Sequence, residues 1–337
     1  MTRALCVSAA LAVAAAAALP PASQDESVDR TIYRRVAHLG WVVRDVDATS
    51  AAWRSLGVND ISDLGVREFP ATYRGRAVTA RVKTARALFA NGAIRWIQPI
   101  GDGTVYADFL ARHGEGVQHV AFEVTSSAQF ERELARYRAL GVGVLHRTDG
   151  AGPSAAAGSA YLDTAQEGGG MTVALEHTAT TLRASGVSND EPFSRITQYA
   201  FVVRDLRRVS AYYERLGLGA LPFERNVSLE RVYRGRPGTF EMLLGWGRWA
   251  DVVFEWIQPT VGPSTYDEHL ERHGEGFHHL GFHVSDMDAA VARLRARGLA
   301  VTMSGGWDSG GNAGRFAYLD AERHGGVAVE LLWNRPR

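Results

Sequence analysis

The feature that most constrains this chain is that its sequence runs through the same pattern twice. Val42-Val43-Arg44-Asp45 returns as Val202-Val203-Arg204-Asp205, Tyr73-Arg74-Gly75-Arg76 as Tyr233-Arg234-Gly235-Arg236, and Trp96-Ile97-Gln98-Pro99 as Trp256-Ile257-Gln258-Pro259, each 160 positions later. Arg112-His113-Gly114-Glu115-Gly116 and Arg272-His273-Gly274-Glu275-Gly276 keep the same offset, so the alignment runs without a gap. Two copies with identical apolar positions must bury the same faces, which calls for two equivalent halves. At 337 residues the chain is long enough for each to hold its own core.

Each half divides again. Val36 to Val43 alternates as a strand, Asp45 supplies an N-cap, Ala52, Trp53 and Leu56 recur at helical spacing, and Gly57 can close the helix. The same opening follows at Val117 with Phe130, Leu134 and Tyr137, at Tyr199 with Leu206, Val209 and Tyr213, and at Leu280 with Met287, Val291 and Leu294. Shorter apolar runs separated by turns come after each helix and end in strands such as Thr172 to Glu176 and Val327 to Leu332. The expectation is an α+β chain of four strand-helix-three-strand units, with one domain over 32–178, a polar linker over 179–194 and a second domain over 195–335.

The first 23 residues differ from the rest. A basic start at Met1 to Arg3, an apolar run of small residues from Ala4 to Leu19 and the following Pro20-Pro21 read as a secretory signal peptide, hence a periplasmic or secreted protein. If the segment is an alanine-rich tail instead, the protein is cytoplasmic. Cys6, the only cysteine, lies inside it, so the mature chain would have no thiol for a disulfide or a metal. No later run approaches the length of a membrane helix. With 37 basic against 37 acidic side chains there is no electrostatic reason to expect nucleic acid or an anionic membrane as a partner. A homodimer is compatible with the sequence.

Strand periodicity picks out candidate site residues. His38, Gly40 and Val42 share one face and Leu39, Trp41 and Val43 the other, so bulky residues pack under the helix while small ones leave an open cup around His38. Gln198, Ala200 and Val202 repeat that arrangement. Glu255 lies between large apolar neighbours on a strand, a costly place for a carboxylate unless it is paired or bound to a cation. By the same alternation His278 points away from His279, and His113, His273 and His283 read as structural or surface residues.

Histidines in "AHLGWVV" and "GVQHVAFEV", glutamates in "VALEH" and "VAVELLW", and the phrase "RHGEGFHHLGFHVSD" after "FEWIQP" resemble the vicinal oxygen chelate superfamily, most closely its glyoxalase I and methylmalonyl-CoA epimerase branch. The resemblance implies four βαβββ units in two cupped mixed β-sheets, with metal ligands on the first and last strands of each unit. Carried onto this sequence, the metal set is Gln198, Glu255, His279 and Glu330, with a second set at His38, His119 and Glu176 where Arg95 replaces the fourth ligand. The first set would take Zn, Ni, Co, Mn or Mg, and the second, two His and one carboxylate, Fe(II). A guanidinium cannot coordinate a cation, so Arg95 either neutralises Glu176 in a degenerate site or holds a substrate carboxylate.

The activity implied is that of a metal-dependent isomerase, epimerase or lyase that moves a proton next to a carbonyl chelated to the metal, Glu330 acting as base and Glu255 as its partner. Two alternatives stand beside it: an Fe(II) extradiol-type dioxygenase using the first-domain trio, and a non-enzymatic protein that binds small molecules. The ligand expected is a small carbonyl or aromatic compound, with Phe240, Trp246, Trp249 and Trp307 as candidate pocket walls and Ser304 to Gly314 as a candidate lid. Whether units pair within a half or across halves is open.

Overall fold

The computed structural model describes residues 28–150, 158–177, 186–247, 249–250, 252–309 and 312–335. The proposed signal peptide and much of the linker lie outside them. The first half runs β1 (Val36–Val42), α1 (Val46–Leu56), β2 (Ile61–Tyr73), β3 (Arg76–Phe89), β4 (Gly92–Pro99), α2 (Val105–His113), β5 (Gly116–Val124), α3 (Ser127–Ala139), β6 (Val144–Asp149), β7 (Gly158–Leu162) and β8 (Thr172–His177). The second runs β9 (Gln198–Val202), α4 (Leu206–Arg215), β10 (Phe223–Asn226), β11 (Leu229–Tyr233), β12 (Arg236–Pro237), β13 (Glu241–Gly247), β14 (Val253–Val261), α5 (Thr265–Arg272), β15 (Gly276–His283), α6 (Met287–Ala296), β16 (Val301–Ser309), β17 (Asn312–Leu319) and β18 (Ala328–Asn334).

The four expected helices form where their caps stand. Asp45, Ser126, Asp205 and Asp286 each accept a backbone N–H from the first turn of the helix they precede, and Gly57 closes α1 in the left-handed conformation. Two short helices, α2 and α5, are absent from the sequence reading. Thr104 and Ser264 cap them.

Units pair within each half. β1 runs antiparallel to β5 and parallel to β4, and β5 parallel to β8; β9 does the same with β15 and β14, and β15 with β18. The first half closes into a barrel in the order β1-β4-β3-β2-β6-β7-β8-β5. In the second half the counterpart of the long β2 is broken into β10 and β11. The result is a ten-stranded open sheet, β10-β13-β14-β9-β15-β18-β17-β16-β11-β12.

The faces of the opening strands are as read. Leu39, Trp41 and Val43 join a single apolar core that also holds Trp96, Tyr199, Phe201, Phe254 and Trp256, so both halves share it, while Val42 and Val202 belong to smaller clusters inside each cup. The halves meet by reciprocal contacts. The Trp41 indole donates to the Gly325 carbonyl at 2.6 Å and the Tyr213 hydroxyl to Gly168 at 2.8 Å. His113 and His273 each place Nδ1 against the other's carbonyl, at 3.4 and 3.0 Å. Gly326 adopts φ +82°, and a Cβ there would lie 2.0 Å from the Glu115 carbonyl oxygen, so only glycine allows that approach.

Gly326→Ala is expected to lower unfolding free energy by about 1–3 kcal/mol in urea titrations. Gly101→Ala supplies the control: it has φ +87° with nothing near its Cβ and carries the backbone strain alone. Equal losses in the two variants would show that the contact between halves is not tight.

Candidate functional site

Each cup has a floor of small residues between its two opening strands. In the second half Gln198 lies opposite Gly281 and His279 opposite Ala200, while Glu330 and Glu255 extend the same rows on β18 and β14. A Cβ at Gly281 would come 2.7 Å from Gln198 Cβ, 3.4 Å from Glu330 Oε2 and 3.5 Å from Gln198 Oε1, so glycine leaves room for these groups to face one another. All four side chains anticipated as a metal set converge and are buried. His279 Nε2 lies 3.2 Å from Glu330 Oε2 and 3.9 Å from Glu255 Oε2, and the Gln198 amide donates to Glu255 at 2.5 Å.

A cavity of about 510 Å³ opens onto this set. Its walls include Trp246, Trp307, Phe316 and Tyr318, and residues 224–229 at the break between β10 and β11 line its mouth. Trp246 and Trp307 thus line the cavity. Trp249 packs instead in the shared core against Tyr213, Phe254 and Trp256, and its indole donates to Leu218 at 3.1 Å. Phe240 joins the apolar cluster of the cup. Of the candidate lid, residues 304–309 and 312–314 are paired in β16 and β17 and are sheet, and residues 310–311 lie outside the described residues. A larger cleft of about 890 Å³ between the halves contains none of the candidate ligands.

The expectation for His278 is corrected. The register of β15 against β9 shifts between Phe277 and His279, which turns His278 to the side of its neighbour, with their Nδ1 atoms 2.9 Å apart. One of the two must donate, so the tautomers of His278 and His279 are linked. The counterpart in the first half is Gln118, whose Oε1 accepts from His119 Nδ1 at 2.6 Å. The sequence reading also passed over two tyrosine pairs, Tyr106 with Tyr161 and Tyr266 with Tyr318, whose hydroxyls meet at 2.8 Å in each cup. Tyr106 and Tyr266 sit on the two unanticipated helices and are themselves 160 positions apart, a signal the repeat already contained.

In the first cup His38, His119 and Glu176 also converge, but around Arg95. The two Nε2 atoms are 3.4 Å apart, and Arg95 Nη1 is 3.3 Å from His38 Nε2 and 3.6 Å from Glu176 Oε1. Glu176 Oε2 approaches the other ring nitrogen of His38, Nδ1, at 3.5 Å. The carboxylate and His119 thus face different nitrogens of His38, with a fixed positive charge between them. These residues do not fit a metal ion as arranged.

The sequence matches the family model for the glyoxalase/bleomycin resistance protein/dioxygenase superfamily over residues 37–161 and 197–318. The chain belongs to this superfamily. No curated protein matches it. Among solved structures it is similar to a mutant of 4-hydroxymandelate synthase from Streptomyces coelicolor, with 16% identity, a TM-score of 0.59 and coverage of 90% of this chain and 93% of that one. It is also similar to a xylose isomerase-like TIM barrel/4-hydroxyphenylpyruvate dioxygenase fusion protein, with 13% identity, a TM-score of 0.54 and coverage of 90% of this chain and 50% of that one. The superfamily spans glyoxalases and dioxygenases, and neither structure is named for the glyoxalase or epimerase branch.

Within this superfamily member the two cups differ in charge. Burial in the second cup raises the Glu330 carboxyl to about 8 against a hydrogen bond from Tyr318, and holds His279 down to about 3. Glu255 is pushed well above the carboxylate range by burial and by the charge of Glu330, with hydrogen bonds from Gln198 and Trp246 pulling the other way. The His279–Glu330 contact is therefore a neutral imidazole beside a carboxyl. Among the described residues no group of three or more His, Cys, Asp and Glu side chains is already arranged to hold a metal ion, and Glu255 is turned onto Gln198 instead. The donor set still fits a divalent cation. His279 Nε2 and Glu330 Oε2 are buried without a hydrogen-bond partner, and no ion pair with Lys or Arg among the described residues offsets either glutamate.

The pKa shifts set the pH dependence of metal-free protein. His279 is neutral when folded down to about pH 3 but takes a proton near 6.5 when unfolded, so its contribution is lost as pH falls below 6.5. Glu330 keeps its proton to about 8 when folded and releases it near 4.5 when unfolded, so stability falls as pH rises across that window. The two effects oppose each other below 6.5, and above it the raised glutamates act without the histidine, Glu255 in the same direction as Glu330. The urea midpoint is expected to drop between about pH 6.5 and 8, and Glu330→Gln is expected to flatten that limb.

Proposed function

We propose that this chain is a metal-dependent enzyme for small oxygen-chelating substrates, with its working site in the second cup. The observation that carries the proposal is the pair of buried glutamates, Glu255 and Glu330, set with His279 and Gln198 beside a cavity and lacking a compensating cation among the described residues. Glu255, His279 and Glu330 would hold the metal, joined by Gln198 once its amide turns to present oxygen. Bound there, a divalent cation would accept two neighbouring substrate oxygens and stabilise negative charge developing on them. The chain's own contributions are the aromatic wall of Trp246, Trp307 and Phe316, which suits a planar substrate, and His278, which fixes the orientation of His279.

Oxygen-consuming chemistry is the reaction class we place first. The names of the two similar structures, a hydroxymandelate synthase and a hydroxyphenylpyruvate dioxygenase fusion, support it, and the aromatic wall suits an aryl substrate. Such chemistry belongs to the second cup, with Fe(II) as the cation on one His and two carboxylates, because Arg95 stands among His38, His119 and Glu176. Proton transfer next to a carbonyl is the second reading. It is favoured by Glu330, whose buried Oε2 has no hydrogen-bond partner and so is free to take a proton.

Elemental analysis of protein purified without chelators is expected to find about one metal per chain, lost in a Glu330→Ala, His279→Ala double variant and kept in His38→Ala. Oxygen uptake with aryl 2-oxo acids and catechols, and α-proton exchange with hydroxy-carbonyl compounds, separate the two reaction classes. Whichever is found, the double variant is expected to lose about 100-fold or more in rate. Little metal in the wild-type protein, with neither reaction after loading, would favour a non-enzymatic binding protein.

A further inference from the structure

The cups are copies of one another, yet the strand positions that face into them carry opposite chemistry. In the second cup Trp246 on β13 lies directly across from Glu255 on β14. In the first, Arg86 on β3 lies directly across from Arg95 on β4. Like charges opposite each other in a sheet repel, and nothing in the shared fold requires the pair. Two guanidiniums share the cup with the Glu176 carboxylate, which Arg95 reaches only at 3.6 Å, beyond hydrogen-bond length. His38 and His119 add no negative charge and stay neutral, held well below the ordinary imidazole range by burial and by the charge of Arg95.

The same cup concentrates buried polar groups without partners. Nε of Arg95, Nε of Arg86, the Thr84 hydroxyl and both ring nitrogens of His146 make no hydrogen bond. Arg95 is 3% exposed, and Thr84 and His146 are fully buried. Thr84 is two residues from Arg86 and so shares its face, and His146 packs against the rings of Tyr106 and Tyr161 within the cup. The two guanidinium Nε–H groups can only donate, and buried donors left unpaired side by side point to an absent acceptor. An oxyanion would answer both the excess positive charge and the open N–H groups.

We propose that the first cup is a metal-independent binding site for a small organic carboxylate, gripped by Arg95 and Arg86. A guanidinium presents two parallel N–H bonds to a carboxylate, and an excess of one positive charge matches a monoanion better than a phosphate. The apolar cluster of Val42, Val82, Ile97 and Ala174 in the same cup suits the organic body of such a ligand. The repeat thus produced a cation site in one copy and an anion site in the other. This inference does not depend on the reaction proposed for the second cup.

The test is calorimetry on the full chain, stripped of metal and dialysed free of chelator, with benzoate, acetate and inorganic phosphate as probes and benzamide as the neutral control. Saturable benzoate binding is expected, unchanged by metal removal or by Glu330→Gln, with benzamide weaker by about tenfold or more. Arg95→Gln is expected to weaken benzoate by about tenfold or more, and Arg95→Lys to recover little of it, because an ammonium lacks the planar fork. If Arg95→Gln does not fold by circular dichroism, the half-buried Arg86→Gln decides the matter through the same loss. The proposal is overturned if a folded Arg95→Gln protein binds benzoate as wild type does, if Glu330→Gln or metal removal abolishes binding, if phosphate alone binds, or if no probe binds.

Discussion

Everything in this structure is arranged around the antiparallel pairing of two opening strands at the floor of each cup. β1 with β5 and β9 with β15 bring the first strands of two units side by side, and the small residues Gly40, Ala121, Ala200 and Gly281 lie between the polar ones. A Cβ at Gly40 would fall 1.9 Å from the His119 ring, which shows how closely the imidazole lies across the strand. Bulky alternates on the other face, Leu39 and Trp41 or Tyr199 and Phe201, drive that face into the core shared by both halves. Burial of one face thus fixes the register, and the register fixes which polar groups meet.

The same floor tolerates opposite electrostatics because the cup side chains are carried by strands whose stability comes from the other face. Glu255 and Arg95 occupy corresponding positions on β14 and β4, and Trp246 and Arg86 correspond on β13 and β3. Exchange of two residues on adjacent strands turns a site short of positive charge into one with an excess of it. The scaffold imposes concavity and low exposure, which make any unbalanced charge costly, and the ligand that relieves the cost follows from its sign.

The break in the second sheet adds a further difference between the copies. The first half runs through Ile61–Tyr73 as one strand, and the corresponding stretch of the second half is interrupted between Asn226 and Leu229. Residues at that interruption line the mouth of the cavity over Glu255 and Glu330. The opening over the site is therefore a loss of strand pairing, the same break that leaves the second sheet open where the first closes.

The repeat, the four strand-helix openings, their caps and the alternating faces of β1 and β9 were legible in the sequence, because each is a local pattern with a local physical cause. So was the composition of the two polar sets, since a 160-residue offset aligns His38 with Gln198 and Arg95 with Glu255. Tertiary structure alone decided that units pair within halves, because the sequence pattern is the same for either pairing. It decided the place of His278, since a bulge overrides simple alternation. It decided that Trp249 belongs to the core while Trp246 faces the cavity, because the direction of a side chain beyond a strand end is set by what packs there. It also placed Arg95 among His38, His119 and Glu176: residue types name the groups that could meet, and only the register says how closely they do.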